Sequence, residues 1–173
     1  MQHLTILALS ALASLAACTA GPAPGPTSAP PAVMAVSLER TEATFAFEGE
    51  VPEGELAAVN DARENAGKPA MRLDPRAQRA AQRHAENMAR LARMAHKLPG
   101  GPGFRARMRR NGIDGLAAEN VAWGQPDIVR AVASWMKSPP HRRNLLNRRF
   151  GGVGVASAEA KDGRRYWAMV LVP

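Results

Sequence analysis

Cysteine, acid and long apolar runs are all scarce in this chain of 173 residues, and each shortage removes a possibility. The single cysteine, Cys18, has no partner in the chain, so an intrachain disulfide is excluded and its value lies in reactivity or modification. After the first 18 residues no segment is long and apolar enough to span a bilayer, which takes about 20 residues. Acid is in excess in one stretch only. Between Leu38 and Asp61 seven acids face one arginine, whereas from Ala62 onward 22 Lys and Arg outnumber eight Asp and Glu, for a net charge of +8. A basic body attracts anionic lipid headgroups, polyanions or acidic partners, unless it is simply a solvated Arg-rich surface. Its arginines form no nucleic-acid motif, so a nucleic-acid partner is not expected. Nor does the chain contain H-E-x-x-H, the tight zinc spacing of metalloproteases.

The N-terminus is apolar from Leu4 to Ala17 and ends in small residues, the form of a secretory signal, although no Lys or Arg stands near Met1. Leu15, Ala16, Ala17 and Cys18 resemble the lipobox of bacterial lipoproteins. The resemblance implies removal of residues 1–17 and a diacylglycerol-type lipid on Cys18, which would anchor the protein to a membrane at about 0.8 kcal/mol per buried methylene. The run "TAGPAPGPTSAPPA" is uncharged and cannot form a core; residues 18–50 read as lipidated cysteine and extended tether, leaving 51–173 as one folded domain.

Within that domain, Leu56, Val59, Asn60 and Arg63 recur at helical spacing until Gly67 and Pro69. A longer helix opens with Asp74 as N-cap and Pro75 at its first position. Its apolar stripe runs through Ala77, Ala80, Ala81, His84, Met88, Leu91, Ala92 and Ala95, ending at His96. "FRARMRRNG" reads as a short helix and "LAAENVAWG" as extended. From Pro126 a further helix carries Ile128, Val129, Val132, Trp135 and Met136 on one face and stops before Pro139, with Asn144, Leu145 and Leu146 opening the next element. The period then changes: "FGGVGVASA" and "RRYWAMVLV" flank a hairpin turn, "EAKDG". Tyr166, Ala168 and Val170 alternate with Trp167, Met169 and Leu171, so the last strand is apolar on both faces and needs cover on both. The expected fold is α+β, an α-β-α sandwich with a small antiparallel sheet between helical layers.

Four groups could carry chemistry. His84, on the apolar stripe, reads as a hydrogen-bonded core histidine. His96 at a helix C-terminus would suit the dipole there. Glu119 sits in an apolar stretch and needs a partner if buried, while Asn120 beside it could bond backbone and fix a turn. His141 follows the corner made by Pro139 and Pro140. Two imidazoles and a carboxylate suit zinc or an acid/base pair, but spacing alone does not bring them together.

In order, "VNDARENAGKPAMRLDPRAQRAAQRHAENMA", His96, "AENVAWG", "VASWMKSPPHRRNLL", "FGGVGVASA" and "YWAMVLV" resemble the CAP (SCP-like) superfamily in its bacterial branch, over about residues 55 to 172. The resemblance implies an α-β-α sandwich with a cleft of two His and two Glu that holds zinc in some members. By motif position His96 and His141 are the two histidines and candidate metal ligands, and Glu119 is one acid. Ser138 stands where the second acid belongs, and Ala118 where Gly is usual. The cleft is therefore expected to comprise His96, Glu119, Asn120, Ser138 and His141, with Zn2+ as the candidate cofactor.

Three functions follow. The first is a non-enzymatic module that binds lipid, glycan or an envelope protein through this cleft, which the missing acid favours. The second is a metal-dependent hydrolase with Glu119 and His141 as catalytic groups. The third is a purely structural basic linker in the envelope. In each case the expected location is outside the cytoplasm, lipid-anchored in the bacterial cell envelope. Thr19 after the cysteine resembles outer-membrane sorting, with the domain facing the periplasm.

Overall fold

The computed structural model describes residues 53–173. The signal segment, Cys18 and the tether lie outside the described residues. Five helices and four strands follow in the order α1 (Glu53–Glu64), β1 (Arg72–Leu73), α2 (Pro75–Arg90), α3 (Phe104–Arg110), β2 (Ala118–Trp123), α4 (Ile128–Lys137), α5 (Pro139–Leu145), β3 (Gly152–Glu159) and β4 (Arg165–Val172). The sheet order is β1-β3-β4-β2. The three long strands pair antiparallel, as expected from the sequence. The two-residue β1, unforeseen, adds a parallel edge to β3 and makes the sheet mixed. No described helix is long and apolar enough to cross a membrane.

Both faces of β4 are covered. Tyr166, Ala168, Val170 and Val172 pack with α2 and Met108 of α3, whereas Trp167, Met169 and Leu171 pack with α1, α4 and α5. The α2 side is built from small residues. Gly152, Gly154, Ala156 and Ala158 alternate along β3, and a Cβ on Gly154 would fall 2.1 Å from the backbone nitrogen of Gln78. With α2 this close, the buried Gln78 amide donates to Val155 O and accepts from Val155 N, both at 2.8 Å. It thus takes the place of a further strand beyond β1. Asp74 caps α2 through the amides of Arg76 and Ala77, with Pro75 at the first position.

On the opposite side Arg63 is completely buried, with no ion-pair partner among the described residues. Its guanidinium donates to Pro69 O at 2.8 Å and Leu145 O at 2.6 Å, tying α1 to the end of α5. Burial lowers its pKa, and backbone carbonyls rather than an acid hold the charge.

Three sequence expectations fail locally. The long helix ends at Arg90 instead of running to His96, because Ala92 adopts φ 46° and Arg93 N bonds back to Met88 O. Leu91 is consequently exposed, and His96 lies in a loop away from any helix terminus. The fourth helix starts at Ile128 with Asp127 as its cap, and Val129 faces solvent at 65% exposure. Finally, α4 does stop before Pro139, but the next helix opens at Pro139 itself and not at Asn144. His141 lies in the first turn of α5, and Asn144 and Leu145 close that helix.

Candidate functional site

Alternation along β2 divides the motif Glu119-Asn120 between the two layers. Val121 packs in the α2 cluster and Ala122 in the α4–α5 cluster, so Glu119 points to the first layer and Asn120 to the second. Each side chain meets a different set of partners.

Glu119 is buried, its side chain 2% exposed. Its Oε1 accepts from His96 Nδ1 at 2.9 Å and from Arg107 Nη2 at 2.9 Å, and Oε2 accepts from Arg107 Nη1 at 2.8 Å. Burial pushes its carboxyl up, but the hydrogen bonds from His96 and Arg107 and the Arg107 charge outweigh that and hold it below the usual carboxylate range. The bidentate fork on Arg107 also clasps His96 O at 2.9 Å and lies over the Phe104 ring. α3 presents Phe104, Arg107 and Met108 at helical spacing, which aims the guanidinium inward alongside the buried Met108.

His84 completes this group. At 1% exposure it is the core histidine the sequence called for, its Nε2 2.9 Å from Ala95 O. The same nitrogen is 3.7 Å from Glu119 Oε1. A carbonyl only accepts, so Nε2 carries the proton and donates to Ala95 O, and the loop leading to His96 is pinned to α2. Burial is the main force lowering the His84 pKa, which favours the neutral ring. His96 is the opposite case: its bond to Glu119 raises the pKa, while the side chain remains 56% exposed.

On the other face Asn120 is fully buried and donates to His141 O at 3.0 Å; Asn144 donates to Asn120 Oδ1 at 2.9 Å. Asn120 therefore fixes the first turn of α5 against β2, and Trp135 Nε1 donating to Val121 O at 3.0 Å does the same for α4. The half-buried His141 has its pKa lowered by burial and then by the charge of His96, so the two rings sense each other. Ser138 joins α4 to α5 through its backbone, and its hydroxyl makes no capping bond.

Of the five expected cleft residues, His96 and Glu119 touch, and Asn120 holds His141 by its backbone. Ser138 serves only as the junction before it. Sequence reasoning missed Arg107 and Asn144. A buried carboxylate demanded a partner, and the spacing of Phe104, Arg107 and Met108 distinguishes the inward arginine from Arg105, Arg109 and Arg110.

The expected zinc site does not fit these donors. Among the described residues no group of three or more His, Cys, Asp or Glu is placed to hold a metal ion. Both Glu119 oxygens are engaged by a permanent cation, and two imidazoles alone fall short of the three or four ligands zinc takes.

The family model for CAP, the Cysteine-rich secretory protein family, matches residues 56–171. A curated relative is the YkwD protein of Bacillus subtilis (strain 168), 29% identical over 128 residues, 72% of this chain and 50% of that protein. The chain thus spans about half the length of the curated relative it matches. Among solved structures, an extracellular SCP-domain protein from Bacillus anthracis aligns with TM-score 0.59 and 27% identity over 69% of this chain and 40% of that one. An outer surface protein of Borrelia burgdorferi has the same fold, with TM-score 0.60 and 19% identity over 67% of this chain and 86% of its own.

Proposed function

The chain belongs to the CAP family, and from that premise we propose that it is an exported binding module of the cell envelope with no catalytic activity. Glu119 carries this reading. A general base needs a free oxygen and a pKa near the working pH, yet Arg107 and His96 occupy both of its oxygens and hold its pKa low. A hydrolase using Glu119 is disfavoured for the same reason, and Ser138 supplies no second carboxylate. In this reading the exposed edge of His96 and the ring of His141 meet the ligand, with Glu119 orienting His96 from behind. The ligand class is a lipid, glycan or envelope protein.

Export is supported by the signal-like N-terminus and by the extracellular and surface relatives. A lipid on Cys18 would carry the domain on its tether, at the outer membrane facing the periplasm. Co-sedimentation of the full chain with envelope fragments tests the reading. Replacing His96 and His141 together by Ala should lower retention several-fold, while Arg105→Glu with Arg109→Glu should change it little. The reverse pattern would sink the cleft and favour a basic linker.

A further inference from the structure

The cleft groups do not exhaust the polar atoms around Glu119. A cavity of about 310 Å³ opens between α2, the turn at 98–102 and α3, and neither His96 nor His141 lines it. Four arginines do: Arg83 and Arg90 from α2, Arg107 and Arg110 from α3, with no carboxylate among its described lining residues. Arg107 spends its charge on Glu119, but the other three have no ion-pair partner among the described residues. Such a concentration of arginines suits an oxyanion, which a guanidinium fork can grip with parallel hydrogen bonds.

Two buried polar atoms on residues that line the cavity make the ligand more specific. Arg107 Nε and His84 Nδ1 have no hydrogen-bond partner among the described residues. The first is a donor. The second is a lone pair, because His84 Nε2 already holds the ring's proton against Ala95 O. In a residue only 1% exposed an unmet acceptor is costly, so a ligand that supplied a donor there while accepting from the arginines would relieve that cost. A terminal phosphate that keeps one proton does both; sulfate, fully ionised, can only accept.

We propose that this cavity binds a singly protonated terminal phosphate, held by Arg83, Arg90, Arg107 and Arg110 with its hydroxyl donating to His84 Nδ1. The phosphate is either free or the monoester headgroup of a lipid. The two sites share Arg107, but Arg83, Arg90 and Arg110 line only the cavity and His96 and His141 do not line it, so either can fail without the other.

The experiment is calorimetric titration of the full chain with inorganic phosphate and with sulfate at matched ionic strength, at about pH 6, where a monoester still keeps a proton on much of its population. Phosphate should bind at least about tenfold tighter than sulfate, the worth of one charge-assisted hydrogen bond. Arg83→Gln with Arg110→Gln should weaken phosphate about tenfold or more, and Arg142→Gln with Arg143→Gln should leave it unchanged. Because His84 is in the core, its role is read without a variant, from the 15N shift of Nδ1 leaving the lone-pair position when phosphate is added. Equal binding of the two anions, equal loss in the two arginine pairs or an unmoved Nδ1 signal overturns the proposal. Phosphatidylcholine vesicles carrying phosphatidic acid identify the source. Retention that free phosphate competes away supports the lipid headgroup, and phosphate binding without retention supports the soluble ion.

Discussion

The two helical layers grip the sheet by different means. Under α2 the contact is between small residues, and the helix backbone lies directly on Gly154. Under α1, α4 and α5 it is made by Trp135, Trp167, Met169, Leu145 and Phe150, which fill the space with apolar volume. The first layer gains positional precision: Asp74 at the cap of α2, and Gln78 and His84 on it, are set to within hydrogen-bond tolerance of the chain they face. The second gains hydrophobic free energy, at about 25 cal/mol per Å² of apolar surface removed from water. Ion pairing follows the same division, since the buried Arg63 of the second layer is held by backbone carbonyls and not by an acid. The Glu119–Arg107–His96 network sits with the precise layer, whereas the neutral Asn120–Asn144 pair sits with the bulky one.

The most severe way to break this arrangement adds a single carbon. In Gly154→Ala the new Cβ would meet backbone atoms of Ala77 and Gln78 at 2.1 to 2.4 Å, and backbone cannot swing away as a side-chain end can. Either α2 lifts off or β3 bends, and in both cases the Gln78 bonds to Val155 are lost. On the other face Trp135→Ala removes a whole indole and should cost about 3–5 kcal/mol. A domain with the usual stability of about 5–15 kcal/mol survives that loss. Denaturant melts should rank Gly154→Ala as the worse of the two. A Gly154→Ala protein as stable as wild type would show that the small-residue contact is dispensable.

The next comparison sets charge against neutral polarity across β2. Arg107→Met leaves Glu119 buried with only His96 to compensate it, at a cost of about 3–5 kcal/mol. Adding Glu119→Gln to that variant should recover most of the loss, since no buried charge then remains. Asn120→Ala on the opposite face strands neutral groups only, for about 1–3 kcal/mol. Urea midpoints of the four proteins order these effects, and a single Arg107→Met loss no larger than that of Asn120→Ala would remove the distinction between the layers.

The bulky layer was the more legible in the sequence. Alternation of Trp167, Met169 and Leu171 against Tyr166, Ala168 and Val170 called for cover on both sides, and the helix stripe ending in Trp135 supplied some of it. Asp74 and Pro75 fixed the start of α2 unambiguously. Its end was hidden because Leu91, Ala92 and Ala95 continue a helical period that a left-handed residue at Ala92 interrupts; nothing in alanine's chemistry announces φ 46°. The site was half visible. His96 and Glu119 were paired by family position, and their contact is direct. Arg107 was obscured by three neighbouring arginines, and which of them turns inward depends on where α3 begins.

The smallest effect separates the histidines of the precise layer by pH. The His96 pKa is raised in the folded chain by its bond to Glu119, with burial opposing, so the contribution is complete below its ordinary value near 6.5 and disappears as pH rises through the folded value. Glu119, held below its ordinary 4.5, stays ionised across that window. The lowered values of His84 and His141, both caused chiefly by burial, act in the opposite sense and cost stability as pH falls. Bulk stability against pH therefore mixes both signs, and His96→Gln isolates one. Its loss relative to wild type should be greater at about pH 5.5 than at about pH 8, yet under about 1 kcal/mol, because a ring more than half exposed is screened by water. Thermal melts of the two proteins at both pH values measure it. An equal loss at each pH would mean that His96 touches Glu119 as a neutral ring throughout, contributing geometry to the cleft and no charge.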